Sequence, residues 1–336
     1  MTATPPARPG LRDVARLAGV SHQTVSRVFK DHPMVSPKTR DRVLAAAAQL
    51  DFRPNAAARA LATGRSSTLG VVSFDTALHG PASIIAAIER HAREAGFFTS
   101  VAGLGSAGRG TVAGAVERFR DQGVDGLIMI PGHVPPEEAV RHLPGDLPMV
   151  MLGPPAAVPT VQADHYHAPG EAARYLLGLG HRTVHHLPGP ADWSEATERT
   201  RGWRDALAAA GAEIPGCTPG DWSARSGYER GRVLAADPDV TAVFAANDQI
   251  ALGLLWAIHE SGRRVPEDVS VIGFDDIPEA AFLTPPLSTV RQDFAALGRH
   301  CVELLVAQLT DPGAAPGPAA VVPSELVIRR STGPAR

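Results

Sequence analysis

From residue 67 onwards, short apolar runs alternate with longer amphipathic ones. The runs TLGVVSF, FFTSVAG, GLIMIP and MVMLG have the length and composition of buried parallel strands. Between the first two, Ile84, Ile85, Ile88 and Ala92 recur at helical spacing. A second series, VHHLPG, AVFAAND and VSVIGFDD, follows residue 161. The pattern predicts an α/β fold with two doubly wound lobes, each a parallel sheet covered by helices.

Ligands of doubly wound sheets bind beyond the carboxyl ends of the strands, so the side chains that follow each strand are candidates for a site. Carboxylates, an amide and a guanidinium that face one cleft suit a ligand rich in hydroxyl groups, and Trp222 can cover the apolar face of a sugar. The residues at these positions are Phe74, Asp75, Arg199, Asn247, Asp248, Asp275 and Asp276. The alternative is that the Asn-Asp and Asp-Asp pairs only cap helices or turns.

The first 66 residues differ in charge from the rest of the chain. They contain 11 Lys and Arg, 4 Asp and no Glu, although the whole chain has a net charge of −3. A small basic segment on an acidic body indicates contact with a polyanion such as DNA, although such segments also arise by chance.

A helical pattern within this basic segment breaks at Gly19-Val20-Ser21 and then resumes. Glycine suits a sharp turn and serine suits a helix N-cap, so two short helices are predicted to cross here. A third helix is predicted to begin at Ser36-Pro37. The expected buried residues are Val14, Leu17 and Ala18 in the first helix, Val25, Val28 and Phe29 in the second, and Val43, Leu44, Ala47 and Leu50 in the third.

This arrangement predicts a helix-turn-helix whose second helix presents a polar face to the DNA major groove. His22, Gln23 and Arg27 carry donors and acceptors that suit base edges. Phosphate contacts are predicted for Ser21, Thr24, Ser26, Ser36, Lys38 and Asn55. The alternative is a three-helix cap with an ordinary solvated face.

Residues 54–66 form an Ala- and Arg-rich stretch in which Pro54-Asn55 opens a short helix and Gly64 closes it. Leu61 is a large apolar residue with no core of its own, and such a side chain can wedge into a minor groove and kink DNA. The hypothesis is a hinge helix that folds only on DNA, with a plain linker as the alternative.

The motifs DVARLAGVS.QTVSRV, VS.KTR..V and PN..A..LA resemble the LacI/GalR family of bacterial transcriptional repressors. The resemblance continues through ANDQIALG, VSVIGFDD and PPLSTVRQDF to about residue 330. Two further segments, ALHGPASIIAAIE and GDWSARSG, are similar to the lactose-repressor branch of that family. The resemblance implies that His22, Gln23 and Arg27 read bases, that Leu61 is the minor-groove wedge, and that the two lobes are periplasmic-binding-protein-like.

The resemblance also implies a carbohydrate effector between the lobes. The effector-binding residues that it implies are Phe74, Leu78, Ile84, Arg199, Trp222, Asn247, Asp275, Gln292 and Phe294. The chain departs from the branch at Phe74, Ile130 and Gly153, where the branch carries polar residues, and at Glu195, which replaces a small hydroxyl residue. These departures leave open a different glycoside or an oligosaccharide as the effector.

The implied domains are a head at 1–53, a hinge at 54–66 and a core at 67–336. The core divides into lobe 1, about 67–163 and 292–321, and lobe 2, about 164–291 and 322–336, with crossings near residues 163, 291 and 322.

We expect a homodimer that binds a palindromic operator and is released by an inducer, with a co-repressor as the alternative. No leucine heptads follow ELVIRRSTGPAR, which favours a dimer over a tetramer. Helix 249–260, with Leu252, Leu255 and Trp256, suits either the core or a dimer seam.

Other functions have weaker support. GLGSAG (103–108) matches a dinucleotide-binding pattern, as in nicotinamide-dependent enzymes, but follows the second strand of its lobe. DHYH (164–167) and His185-His186 suggest a metal but lack a third ligand cluster. No catalytic constellation is evident, so we expect no enzyme activity, cofactor or metal. The N-terminus lacks an export signal, which argues against a sugar-transport binding protein, and no run suits a membrane helix. Two cysteines suit a reducing compartment, so we expect the protein in the cytoplasm.

Overall fold

The computed structural model describes residues 9–29, 32–52, 65–104, 109–132, 147–311 and 319–336. The chain divides into two compact units, residues 1–66 and 67–336. The predicted fold class is confirmed, because the first unit is helical and the second contains two α/β lobes.

The first unit contains helices α1 (Leu11–Ala18), α2 (His22–Phe29) and α3 (Pro37–Gln49). Gly19 ends α1 in the left-handed region at a φ of 61°, which glycine adopts without a Cβ clash. Ser36 caps α3 with its side chain, and Pro37 occupies the first turn of that helix. These two features were both predicted from the sequence.

Small and β-branched side chains form the core of this unit, and Phe29 and Leu50 pack partly buried against it. Two predictions are wrong, because Leu17 and Leu44 are each 46% exposed. Short helices that cross closely leave room for alanine at their contact, so Ala15 and Ala46 take the inward positions instead. The buried set is Val14, Ala15, Ala18, Val25, Val28, Val43, Ala46 and Ala47.

Lobe 1 is a parallel six-stranded sheet between two layers of helices. Its strands are β1 (Thr68–Ser73), β2 (Phe98–Gly103), β3 (Gly126–Ile130), β4 (Met149–Leu152), β5 (Thr160–Ala163) and β10 (Ala320–Val322), in the spatial order 10-5-4-3-1-2. On one face pack α4 (His79–Glu94) and α10 (Phe294–Thr310), and on the other packs α5 (Arg109–Asp121). Alternation along β1 sends Leu69 and Val71 to the first face and Val72 to the second.

One strand of lobe 1 differs from its prediction. FFTSVAG is predicted to be buried, but β2 consists of half-buried and exposed residues, and Phe98 is 64% exposed. β2 pairs in parallel with β1 at the edge of the sheet, so it has a strand on one side only. Apolar composition therefore predicted the strand but not its position in the sheet.

Lobe 2 is a five-stranded sheet with the same layering. Its strands are β6 (His185–Leu187), β7 (Ala242–Ala245), β8 (Ser270–Asp275), β9 (Ser288–Gln292) and β11 (Ser324–Val327), in the spatial order 11-9-8-7-6. Only β11 is antiparallel to its neighbour. One face carries α8 (Ala224–Ala236) and α9 (Asp248–Glu260), and the other carries α6 (His167–Gly178) and α7 (Ser194–Ala209). A 3₁₀ turn, Pro278–Phe282, follows β8.

The chain passes between the lobes three times, after β5, after β9 and after β10. The second passage leads from β9 of lobe 2 to α10, which packs against lobe 1. Gln292 ends β9 and Val322 ends β10, so the second and third crossings follow these residues rather than preceding them.

Helix α9 has apolar residues on two sides. Leu255 is 8% exposed and belongs to the core of lobe 2, whereas Leu252 and Trp256 are 41% and 56% exposed.

Among the described residues, no helix is both long enough and apolar enough to span a membrane.

Candidate functional site

The first candidate site is the exposed face of α2. His22, Gln23 and Arg27 are all exposed there, on the side opposite the buried Val25 and Val28. Their amide, imidazole and guanidinium groups therefore point away from the helical core and are free to meet a base edge.

Two of the predicted phosphate contacts are also helix caps. Ser21 Oγ accepts the Thr24 N–H at 3.1 Å and lies 2.9 Å from Thr24 Oγ1. Ser36 Oγ accepts the Thr39 N–H at 3.3 Å. Their hydroxyls are thus held at the N-termini of α2 and α3, where the helix dipole favours an anion.

The remaining predicted DNA contacts divide into described and undescribed residues. Lys38 is exposed in the first turn of α3, and Ser26 is half-buried in α2. Asn55 and Leu61, together with most of the predicted hinge, lie outside the described residues.

The second candidate site is a cavity of about 850 Å³, lined by residues that follow strands of both lobes. We call it the interlobe cavity. It also includes Ile130, Gly153 and Glu195, three positions at which the chain departs from the lactose-repressor branch. The structure brings together at this cavity all nine residues predicted to bind an effector: Phe74, Leu78, Ile84, Arg199, Trp222, Asn247, Asp275, Gln292 and Phe294.

Two carboxylates that follow strands do not line the interlobe cavity. Asp248 is fully buried and accepts the Thr289 hydroxyl at 2.6 Å and the Ile277 N–H at 2.8 Å. This burial raises the pKa of Asp248 to about 8. Asp276 forms ion pairs with two arginines. Asp248 and Asp276 therefore have structural roles in the core and in ion pairs, which differ both from the site interpretation and from the caps considered as its alternative.

Arg199 and Asp275 form the polar centre of the cavity wall, and both are buried. Arg199 Nη2 lies 3.7 Å from Asp275 Oδ1, and the Gln292 amide donates to the same oxygen at 2.6 Å. Arg199 also donates to His165 Nδ1 at 3.3 Å and to the Ala246 carbonyl. Burial raises the pKa of Asp275, and the charge of Arg199 and the hydrogen bond from Gln292 offset part of that rise. The pair is held in place before any ligand arrives.

Asn247 holds an aromatic wall in position. Its Oδ1 caps α9 by accepting the Ile250 N–H at 2.8 Å, and its Nδ2 donates to the Trp222 carbonyl at 3.1 Å. The Trp222 ring meets Trp193 edge to face, with centroids 5.6 Å apart. The buried Trp222 Nε1–H has no acceptor among the described residues. Sequence reasoning missed Trp193, for which an indole just before α7 was the available signal.

The part of the wall contributed by lobe 1 is mainly apolar, although Asp75, His79 and Gln162 of that lobe also line the cavity. Phe74, Ile130 and Leu152 follow or end strands of its sheet and are all buried. Phe294, at the start of α10, packs edge to face against His79 with centroids 5.5 Å apart. The interlobe cavity therefore has its buried ion pair, Arg199 and Asp275, at the end formed by lobe 2 and a mainly apolar wall at the end formed by lobe 1.

Two further residues of the cavity wall, His165 and Gln249, lie in sequence motifs that do not by themselves predict a role in effector binding. His165 belongs to DHYH, considered as a metal motif, and burial together with Arg199 holds the pKa of its imidazole well below the usual range. Gln249 lies in the ANDQIALG motif, and its buried Oε1 has no donor among the described residues.

His186, one of the histidines considered as a metal ligand, is buried and contacts core residues. His186 stacks on Phe244 with centroids 5.0 Å apart, and its ring nitrogens contact the Phe244 carbonyl at 2.9 Å and Thr200 Oγ1 at 3.2 Å. In the part of the chain that the structure describes, no group of three or more His, Cys, Asp and Glu could hold a metal ion. The last four residues of GLGSAG lie outside the described ranges.

The chain matches two family models. Residues 10–55 match the model for bacterial regulatory proteins of the lacI family, and residues 173–332 match the periplasmic binding protein-like domain. The lactose operon repressor of Escherichia coli (strain K12) is 37% identical, over 96% of this chain and 90% of its own. The HTH-type transcriptional regulator CelR of Thermobifida fusca is 35% identical, over 96% and 98%.

Solved structures show the same likeness. The lac repressor dimer bound to operator and the anti-inducer ONPF has a TM-score of 0.88 and 35% identity, covering 97% of this chain and 100% of that one. The complex of the transcriptional regulator CelR with cellobiose has a TM-score of 0.71 and 34% identity, covering 96% and 100%.

Proposed function

Because the chain belongs to the LacI family of bacterial regulatory proteins, we propose that it represses a carbohydrate-utilisation operon and leaves its operator when a sugar effector binds. His22, Gln23 and Arg27 read base edges, and two copies of the chain bind a palindromic site as a homodimer. The protein acts in the cytoplasm, where its operator is. The phosphates of the operator DNA are held by Ser21, Thr24, Ser26, Ser36, Lys38 and Asn55.

The observation that carries the proposal is the interlobe cavity. Its polar end offers the carboxylate of Asp275 and the guanidinium of Arg199, and Trp222 supplies a ring whose N–H has no acceptor within the described ranges. Carboxylate, guanidinium and indole groups together suit a polyol with one apolar face. An enzyme would need a catalytic constellation in addition, and a turnover assay with candidate glycosides tests that alternative.

Effector and DNA binding are coupled through a difference in ligand affinity between two states of the lobes. An effector that contacts both lobes favours one angle between them. In the proposed mechanism this angle sets the spacing of the two hinge segments, residues 54–66, in the dimer. Leu61 enters the minor groove only when that spacing fits.

The test is operator binding by the full chain, measured by fluorescence anisotropy on DNA from upstream of its own gene. Arg27→Ala removes a base-reading guanidinium, so we expect operator affinity to fall by about 1–3 kcal/mol and specificity to relax. Binding to random DNA should fall far less.

Arg42→Ala is the matched control, because it removes the same charge from an exposed position of α3. We expect it to weaken operator and random DNA binding equally and slightly. Equal losses for Arg27→Ala on both DNAs would contradict the base-reading role, and absence of any preferred genomic site would contradict the proposed function.

A further inference from the structure

Trp222 reaches the interlobe cavity from an irregular segment of lobe 2. Residues 210–223 join α7 to α8, and these residues, all of them described, form neither helix nor strand. We call them the α7–α8 segment. Asn247 fixes its last part by donating to the Trp222 carbonyl. The rest has more conformations available than a helix would have, so side-chain contacts decide where it lies.

Arg230 ties the α7–α8 segment to the sheet of lobe 2. It lies in α8, is half-buried, and does not line the interlobe cavity. Its Nη1 donates to the Thr218 carbonyl at 2.9 Å and to the carbonyl of Pro188, the residue after β6, at 2.7 Å. Its Nε donates to the Ser226 carbonyl within α8 at 3.2 Å. One guanidinium thus joins three parts of the lobe through hydrogen bonds that its charge strengthens.

The Trp222 ring packs on the chain just after β6, next to the carbonyl that Arg230 holds. A Cβ at Gly189 would lie 2.5 Å from Trp222 Cη2, so the ring fills the space beside this glycine. The Gly189 carbonyl accepts the Gly220 N–H at 3.4 Å. A Cβ at Gly220 would lie 2.4 Å from Arg230 Cζ, so the guanidinium packs directly on the segment. The ring therefore lies at the junction that Arg230 makes between β6 and the segment.

Stability alone does not account for an arginine at this position. Arg230 Nη2 is buried and has no acceptor within the described ranges. Burial also lowers the pKa of the guanidinium, and the charge of Asp221 offsets part of that effect. A buried donor without an acceptor costs free energy, which an apolar side chain would avoid. The junction between the segment and β6, by contrast, needs the donors of Arg230.

We propose that Arg230 is a positioning residue for effector binding, which holds Trp222 in the wall of the interlobe cavity by joining Thr218 to the end of β6. This inference rests on the proposed function, because it concerns the site of the effector. With the guanidinium in place, the ring is positioned before a ligand arrives. Without it, the ligand must also order the segment, and the apparent affinity falls with the fraction of molecules in which the ring is in place.

The first test needs neither ligand nor DNA. Arg230→Met removes the donors and keeps an unbranched stem of similar width. Because Trp222 is one of four tryptophans, emission and acrylamide quenching are compared between wild type and Arg230→Met, and the comparison is repeated in the Trp222→Phe background. We expect emission to shift to longer wavelength and quenching to increase. Both changes should disappear when Trp222 is absent.

The second test measures the consequence for ligand binding. Calorimetry with the full chain uses cellobiose and 4-nitrophenyl β-galactoside as probes. We expect Arg230→Met to weaken binding at least about tenfold, as when the ring is in place in about one molecule of ten. Operator affinity without ligand should stay within about twofold of wild type, since Arg230 lies outside the DNA-binding unit.

Two further variants control these measurements. Arg232→Met makes the same change at an exposed position of α8, and it should alter neither the emission nor the affinity. Gly220→Ala keeps Arg230 but pushes a methyl group against its guanidinium and against Ser226 Oγ. It should reproduce the emission shift and the loss of affinity, and it decides the question if Arg230→Met does not fold.

Wild-type emission in folded Arg230→Met and in Gly220→Ala would overturn the positioning role. So would changes that persist in the Trp222→Phe background, because Arg230 would then act on the lobe as a whole. The proposed function fails separately, if the wild-type chain prefers no operator. The emission comparison still decides the role of Arg230 in that case.

Discussion

At the scale of single residues, the motif ANDQ divides its polar groups between a cavity and a core. Asn247 lines the interlobe cavity, whereas its neighbour Asp248 is fully buried among Thr289, Ile277 and Gly273. A Cβ at Gly273 would lie 2.1 Å from Asp248 Oδ1, so the carboxyl group fills the space that this glycine leaves. Burial of this kind favours the protonated acid, because the charged form loses its water.

Asp248 should therefore give the protein a measurable pH dependence. Its pKa in the fold is about 8, above that of the unfolded chain, so its contribution to stability falls as pH rises from about 4 to 8. Asp248→Asn cannot ionise and lacks this dependence. We expect the free energy of unfolding of the wild type, relative to the variant, to fall by up to about 1.4 kcal/mol per pH unit.

Urea unfolding of both proteins at pH 5, 6, 7 and 8 measures this difference. The comparison cancels the buried histidines, which titrate in both proteins. A difference in unfolding free energy that stays constant across this range would show that Asp248 is ionised throughout.

At the scale of helices, α8 and α9 touch along their backbones. A Cβ at Gly253 would lie 1.9 Å from the Ala224 carbonyl oxygen, and one at Gly227 would lie 2.2 Å from the Ile250 carbonyl oxygen. This close approach places the start of α8, after Trp222, beside the start of α9 at Asn247. The glycines thereby hold one wall of the interlobe cavity.

Gly253→Ala should destabilise the protein although alanine is the better helix former. The added methyl group meets backbone that cannot move aside, which costs about 1–3 kcal/mol. Gly114→Ala in α5 is the matched control, since nothing lies within 4 Å of the new Cβ, and it should gain up to about 1 kcal/mol. Thermal melting of the two variants measures both changes in stability. A Gly253→Ala variant as stable as the wild type would show that α8 and α9 can separate without penalty.

At the scale of the whole core, the two ends of the interlobe cavity come from different lobes. Arg199, Trp222 and Asp275 belong to lobe 2, whereas Phe74 and Ile130 belong to lobe 1. A ligand with a polar and an apolar part therefore contacts both lobes at once. Such a ligand can shift the equilibrium between lobe angles by its difference in affinity for them.

Asp275→Asn should separate effector response from DNA binding. It removes the charge opposite Arg199, which leaves a buried guanidinium less well paired and weakens the polar end. We expect operator affinity to stay within about twofold of wild type while the glycoside concentration for half-release rises at least about 30-fold, or about 2 kcal/mol.

Asp239→Asn is the matched control, because Asp239 is exposed in lobe 2 and does not line the interlobe cavity. Operator release by the glycoside is measured by anisotropy for both variants. A normal response in Asp275→Asn would place the effector elsewhere in the protein.

Local signals in the sequence determined the helices, the strands and the fold class. Gly19 and Ser36 mark helix ends through backbone geometry and caps that depend only on neighbouring residues. Apolar runs mark strands because burial of a strand on both faces requires them. The position of Phe74, Asn247 and Asp275 also followed from sequence, since the carboxyl ends of parallel strands share one edge. Leu78, Ile84, Gln292 and Phe294 were implied by the family resemblance.

Only the tertiary structure decided which side of an element meets the core and which meets the interlobe cavity. Leu17 and Leu44 lie at the rim because alanines occupy the helix contacts, and β2 is exposed because it is an edge strand. Asn247 and Asp248 are adjacent in sequence, yet one faces the interlobe cavity and the other is buried. Burial and pairing are sums over neighbours in space, which no local pattern contains.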